Sequence, residues 1–225
     1  MKTVLISAVL FMVFVGRHLI SEKYKGKLHF DTLNGRAMID RAIDVLDGRF
    51  KKPFPPFETP AQVLDILSRD PDSEYAMNIF LQNVAAHCGY DRRALMLRVY
   101  PAQEGKPPGQ IQKLGSQFLM ELYMKNEGNI RGTLAVIIHE FCHFYLDESG
   151  IKLENTVENE VLTDTAAIYF GFGSQLREGY TPTVAHSMAN KGKLVRIGYL
   201  DTLNIDYVQN KLNRRSEFYD TVPKT

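Results

Sequence analysis

The sequence predicts an α+β fold that is mainly helical, and three observations carry that expectation. Apolar residues recur at helical spacing through the first third of the chain and again near its end. One segment, residues 94–100 (ALMLRVY), is rich in residues that favour a strand, and residues 110–114 form a weaker candidate. Between these strands and the C-terminal third lies residues 133–146, TLAVIIHEFCHFYL, a strongly apolar helical run interrupted by His139, Glu140 and His143.

The elements follow in chain order. Residues 3–16, TVLISAVLFMVFVG, are almost wholly apolar, with Lys2 before them and Arg17 and His18 after. That length suits a signal-peptide core, and with Leu19 and Ile20 it approaches a short membrane anchor. No convincing small-x-small cleavage site follows. Lys23, Lys25 and Lys27 come just beyond, and basic charge on that flank favours a cytoplasmic position for the rest of the chain if the segment stays in the bilayer. A first helix or strand buried in a soluble domain is the alternative. The expected division is a hydrophobic segment at 1–20, one domain at 21–215 and a tail at 216–225. Localisation is then membrane-associated or exported, with a soluble cytoplasmic protein as the alternative.

From Asp31 the spacing of Leu33, Met38, Ile39, Ala42, Ile43, Val45 and Leu46 predicts a helix that Gly48 should stop. Residues 51–60, KKPFPPFETP, hold four prolines and read as an irregular connector. Thr59 and Pro60 open a helix expected to turn Val63, Leu64, Ile66 and Leu67 inward. Asp72 or Ser73 opens the next, which Gly89 should end. His87 then sits where the helix dipole favours it. After the strand candidates and the 133–146 helix, Gly150 suits a stop, and Asn155 with Glu158 has the spacing of a capping box for a second helix. Glu154 and Glu158 are read as solvated or capping. Gly171 and Gly173 should break that helix. Residues 179–200 look loop-like, and a last helix over 201–214 packs through Leu203, Val208 and Leu212 before a charged tail frays.

Composition narrows the function classes. A chain of 225 residues can bury a full core, and a net charge of +1 gives no pointer to nucleic acid or to steering of acidic substrates. Two cysteines, Cys88 and Cys142, make no disulfide framework. Cys142 lies three residues after His139, but reads as a small buried hydrophobe.

His139, Glu140 and His143 form H-E-x-x-H, a zinc-site motif with a physical basis. Residues four apart fall on one helical face, so both imidazoles can reach one cation. Glu140, one residue round, is poorly placed to join them as a ligand yet able to take a proton from water on the metal. Downstream, Glu160 and Asp164 also lie four apart on one face of the second predicted helix.

This arrangement resembles the gluzincin metallopeptidases, in which H-E-x-x-H is followed by a helix carrying E-x-x-x-D; residues 159–164 here read NEVLTD. The resemblance covers residues 130–173. It implies a zincin-like catalytic domain with a small sheet beside the active-site helix, zinc held by His139, His143 and Glu160, and Asp164 orienting a ligand histidine from behind. Sixteen residues separate His143 from Glu160, fewer than is usual in that family, so the connecting loop must be tight. A metzincin would need Gly at 146 and His at 149, where this chain has Leu146 and Ser149. Asp164 as the ligand in place of Glu160 is a further alternative.

The implied activity is hydrolysis of a peptide or protein substrate, with Glu140 as general base. An edge strand before the helix could hold the extended peptide. Tyr199 is the leading candidate to stabilise the oxyanion, ahead of Tyr180 and His186. The competing expectations are a non-catalytic zinc-binding scaffold and a membrane-tethered interaction module.

Overall fold

A computed structural model describes residues 32–91, 94–103, 106–115, 117–124, 129–181, 183–184, 194–195 and 198–221. The hydrophobic segment at 3–20, the lysines after it and His186 fall outside these residues. Among the described residues, no helix is long and apolar enough to cross a membrane.

Helix α1 (Thr32–Phe50) buries Ile39, Ala42, Ile43 and Leu46, the stripe its spacing predicts. It runs past Gly48, which is exposed with open space around its Cα, and stops where Lys51 takes a positive φ of 67°. Helix α2 (Ala61–Arg69) buries Val63 and Leu67 and packs Ile66 partly against the core, but Leu64 faces outward at 45% exposure. Helix α3 (Glu74–His87) starts where Ser73 Oγ accepts the Ala76 amide, and Gly89 follows its end with φ 68°.

Three strands follow: β1 (Leu95–Pro101), β2 (Gly109–Leu114) and β3 (Gln117–Met124). The order is β1-β3-β2, with β1 parallel and β2 antiparallel to β3. The central strand β3 is an addition to the two strands expected. Its sequence, QFLMELYM, alternates only weakly because Phe118, Met120 and Leu122 are buried on one face while Tyr123 is covered on the other. Helix α3 closes the outer edge of β1 with polar side chains. Asn78 bonds both the amide and the carbonyl of Leu97, Gln82 donates to the Leu95 carbonyl, and Glu74 accepts the Val99 amide. Among the described residues no strand pairs with the outer edge of β2.

Helix α4 (Ile130–Glu148) is capped by Asn129, which accepts the Gly132 amide at 3.0 Å. It carries the H-E-x-x-H motif through the centre of the molecule, with Ile137, Ile138, Phe141 and Cys142 fully buried. Helix α5 (Thr156–Ala167) starts at Asn155, whose side chain accepts the Val157 and Glu158 amides. Glu158 directs its carboxylate to Arg41 at 3.1 Å, so it ties α5 to α1.

The chain does not break after α5. A π-helical turn (Ile168–Phe172) kinks at Gly171, whose φ of 91° breaks the helical pattern as its glycine predicts, while Gly173 opens α6 (Gly173–Tyr180) instead of breaking it. This turn releases three successive carbonyls, and each is taken from outside. Phe54 N bonds Tyr169 O at 2.8 Å, His87 Nε2 bonds Phe170 O at 2.9 Å, and Phe57 N bonds Gly171 O at 2.9 Å. The proline-rich connector and His87 are therefore the cap of a kink. A two-stranded antiparallel pair, β4 (Thr183–Val184) and β5 (Leu194–Val195), interrupts the segment read as loop. Helix α7 (Thr202–Thr221) continues seven residues beyond the expected end at 214. Arg215 holds it to Asp44 and Asp47 of α1, and Tyr207 donates to Asp40.

The whole is mainly helical with one small three-stranded sheet, and its buried residues form one cluster that includes Phe80, Phe141, Tyr169, Phe170 and Phe172.

Candidate metal centre

His139 and His143 stand on one face of α4 with ring centroids 4.6 Å apart and planes at 84°. Helix α5 packs across that face and presents Glu160 to both rings. Glu160 Oε2 lies 3.2 Å from His139 Nε2 and 3.0 Å from His143 Nε2. The ligand atoms of these three residues all fall within 4.8 Å of one another, so the group could hold a metal ion.

The far side of each imidazole is anchored. His139 Nδ1 lies 2.8 Å from Asp164 Oδ1. Asp164 is fully buried, and its carboxylate also accepts the Tyr180 hydroxyl at 2.6 Å on Oδ1 and the Tyr199 and Leu200 amides at 2.8 and 3.0 Å on Oδ2. His143 Nδ1 lies 3.0 Å from Thr163 Oγ1. That hydroxyl spends its single proton on the Asn159 carbonyl at 2.8 Å, so toward His143 it can only accept. Both Nδ1 atoms therefore carry the proton in their neutral rings, and both Nε2 lone pairs point at the same small volume.

The donor chemistry tests the fit of a cation. Without one, bonding both rings to Glu160 requires two protonated imidazoles side by side, with side chains only 13% and 21% exposed. With one, two neutral imidazole nitrogens and a carboxylate oxygen supply three ligands, and no proton is needed between them. The residues fit a divalent metal of zinc's ligand preference. In the metal-free group a proton on His139 takes the place a cation would hold. Burial would lower the His139 pKa, yet hydrogen bonds and negative charge from Asp164 and Glu160 hold it well above the usual value. Burial would raise Glu160, yet the positive charge of His143 and hydrogen bonds from both rings hold its carboxyl far below the carboxylate range.

Glu140 stands outside the three-atom group. It is half-buried and lies over the start of β2, where a Cβ built on Gly109 would meet Glu140 Cγ at 2.7 Å and Val136 Cγ1 at 2.9 Å. The Tyr199 ring lies nearly parallel to that of His139, with centroids 6.3 Å apart at 16°. Tyr180, considered for oxyanion binding, is instead buried with its hydroxyl on Asp164. Burial and the charge of Asp164 raise its pKa well above the ordinary value. Asp164 faces the back of His139 and lies outside the cluster that could hold a metal ion, in which the carboxylate is that of Glu160. Cys142 is sealed in the core, where burial drives its thiol pKa up. Thr163 escaped the sequence reading, although its position three residues after Glu160 places it on the same helical face.

No family model, curated protein or solved structure matches this chain.

Proposed function

We propose that this protein is a zinc metallopeptidase of the gluzincin type, built on a zincin-like fold. The observation that carries the reading is the convergence of His139 Nε2, His143 Nε2 and Glu160 Oε2, with Glu140 on the same helix left unused as a ligand. Zinc at that point would supply a Lewis acid and lower the pKa of water it binds. Glu140 takes the proton of the attacking water and later delivers it to the leaving amine. Asp164 and Thr163 hold the two ligand rings in the tautomer that leaves Nε2 free. Tyr199, beside His139, is assigned to the developing oxyanion. The outer edge of β2, unpaired among the described residues, begins at Gly109, against Glu140, and suits a peptide or protein substrate bound as an added strand.

Glu140→Gln tests the mechanism, because it removes the proton acceptor and leaves the ligands untouched. Zinc content should stay at one per chain, while hydrolysis of a peptide library falls by roughly two to four powers of ten. Equal cleavage by the variant would sink the mechanism. A wild-type protein that binds zinc and cleaves nothing would favour a non-catalytic zinc scaffold.

A further inference from the structure

The buried hydroxyl of Tyr180 donates to the same Asp164 oxygen that accepts His139 Nδ1, and it lies only 3.4 Å from that nitrogen. Resting on the metal-centre reading above, we infer that Tyr180 is a positioning residue for the metal, acting through Asp164 to hold the His139 lone pair on target. Three features place it there. Helix α6 packs tightly on α4 at Gly179, where a Cβ would meet Ala135 Cβ at 2.4 Å and the Arg131 carbonyl at 2.6 Å. The Tyr180 ring occupies the space beside Gly198, where a Cβ would meet it at 2.0 Å, and Gly198 has φ 80°. From Gly198 the backbone turns so that the next two amides, Tyr199 and Leu200, cover the other Asp164 oxygen.

The carboxylate thus has each oxygen fixed by donors from α6 or from residues 199–200. With one donor lost, Oδ1 keeps only His139 as a partner, and the carboxylate can rotate away from the line that sets the imidazole plane. Tyr180 OH bonds Asp164 Oδ1 at 2.6 Å and lies at a longer 3.4 Å from His139 Nδ1, so the shorter bond, to Asp164, is the one through which its effect on the ligand set is inferred to travel.

The test is zinc affinity, measured on the full chain by competition with a chromophoric chelator. Tyr180→Phe, Asp164→Asn and the double variant are compared with wild type. Tyr180→Phe should weaken zinc binding about three- to tenfold in the wild-type background, less than the tenfold or more expected for an outer residue in direct contact with a ligand. In the Asp164→Asn background it should change affinity by less than about twofold, because the residue it acts through is already altered. Unchanged affinity in Tyr180→Phe, or the same loss in both backgrounds, overturns the inference and reduces Tyr180 to fold support. A wild-type chain that binds no zinc overturns the metal centre itself. Where Tyr180→Phe does not fold, proton NMR of the zinc-loaded wild type decides. A slowly exchanging tyrosine hydroxyl proton with a cross-peak to a histidine Nδ1 proton supports the inference, and its absence overturns it.

Discussion

Glu140 and Gly109 share one small volume, and only a residue without a side chain on the strand leaves room for the carboxylate arm on the helix. Gly109→Ala should therefore move Glu140 while leaving the ligands in place. Its expected effect is a kcat lower by about tenfold or more, with zinc content unchanged. The same methyl also presses on Val136. Adding Val136→Ala separates the two causes, since recovery of kcat in that double variant would trace the loss to packing and not to the displaced base. Thr163→Val makes a companion test on the other imidazole. It removes the Thr163 acceptor for His143 Nδ1 and should weaken zinc binding about tenfold, measured by chelator competition. At this scale the sequence was informative wherever a spacing carried the chemistry. His139 with His143, and Glu160 with Asp164, are each four apart, and the helix does the rest. Thr163 was less visible because a threonine inside a helix more often bonds its own backbone, which this one also does. Tyr180 was considered only for the oxyanion and the contact of Gly109 with Glu140 was not legible, since both placements depend on how distant segments cross.

The element that shapes the site without touching it is the π-helical turn at Ile168–Phe172. It bends the chain between α5, which bears Glu160 and Asp164, and α6, which delivers Tyr180. Two kinds of residue fix the bend: Gly171, whose φ of 91° suits no side chain, and the outside donors Phe54, Phe57 and His87. His87 is held among the rings of Phe54, Phe57 and Phe172, with centroids 5.2–6.2 Å away. A Cβ at position 171 would lie 2.0 Å from the Pro55 carbonyl oxygen, which is backbone and slow to yield. Gly171→Ala should cost more than about 3 kcal/mol in urea unfolding, from left-handed strain together with the lost Phe57 bond. A cost under about 1 kcal/mol would mean the kink is not fixed in this way. The sequence marked Gly171 as a breaker, and the helical pattern does break there, at a kink from which α6 starts at once. Whether a glycine ends a helix or bends it depends on whether something nearby takes up the freed carbonyls, and those donors lie 83 or more positions earlier in the chain. The strand β3 was hidden for a related reason, because a central strand covered on both faces shows little alternation.

At the scale of the whole molecule, the metal site links folding to pH, and the metal-free and zinc-loaded forms should respond in opposite ways. In the metal-free protein the His139 pKa is raised above its ordinary 6.5 in the fold. Its contribution is complete below that ordinary value and is lost as pH rises through the higher folded pKa. Glu160 is depressed below its ordinary 4.5, so its contribution is complete above that value and is lost as pH falls through the lower folded pKa. Both contributions coincide between about pH 4.5 and 6.5, and the metal-free protein should be most stable there. Zinc competes with the proton for His139 Nε2, so its stabilisation should be small in that window and grow as pH rises beyond it. At free zinc a hundred times the dissociation constant the gain is about 2.7 kcal/mol. Thermal unfolding with excess zinc and with a chelator, stepped from pH 5 to 9, should show the two curves separating as pH increases. His143→Ala, which removes a ligand, should bring them together at every pH. A metal-free protein that gains stability from pH 6 to 9, or a zinc increment that shrinks over that range, would show that the His139–Glu160 contact is not the one through which metal and proton compete.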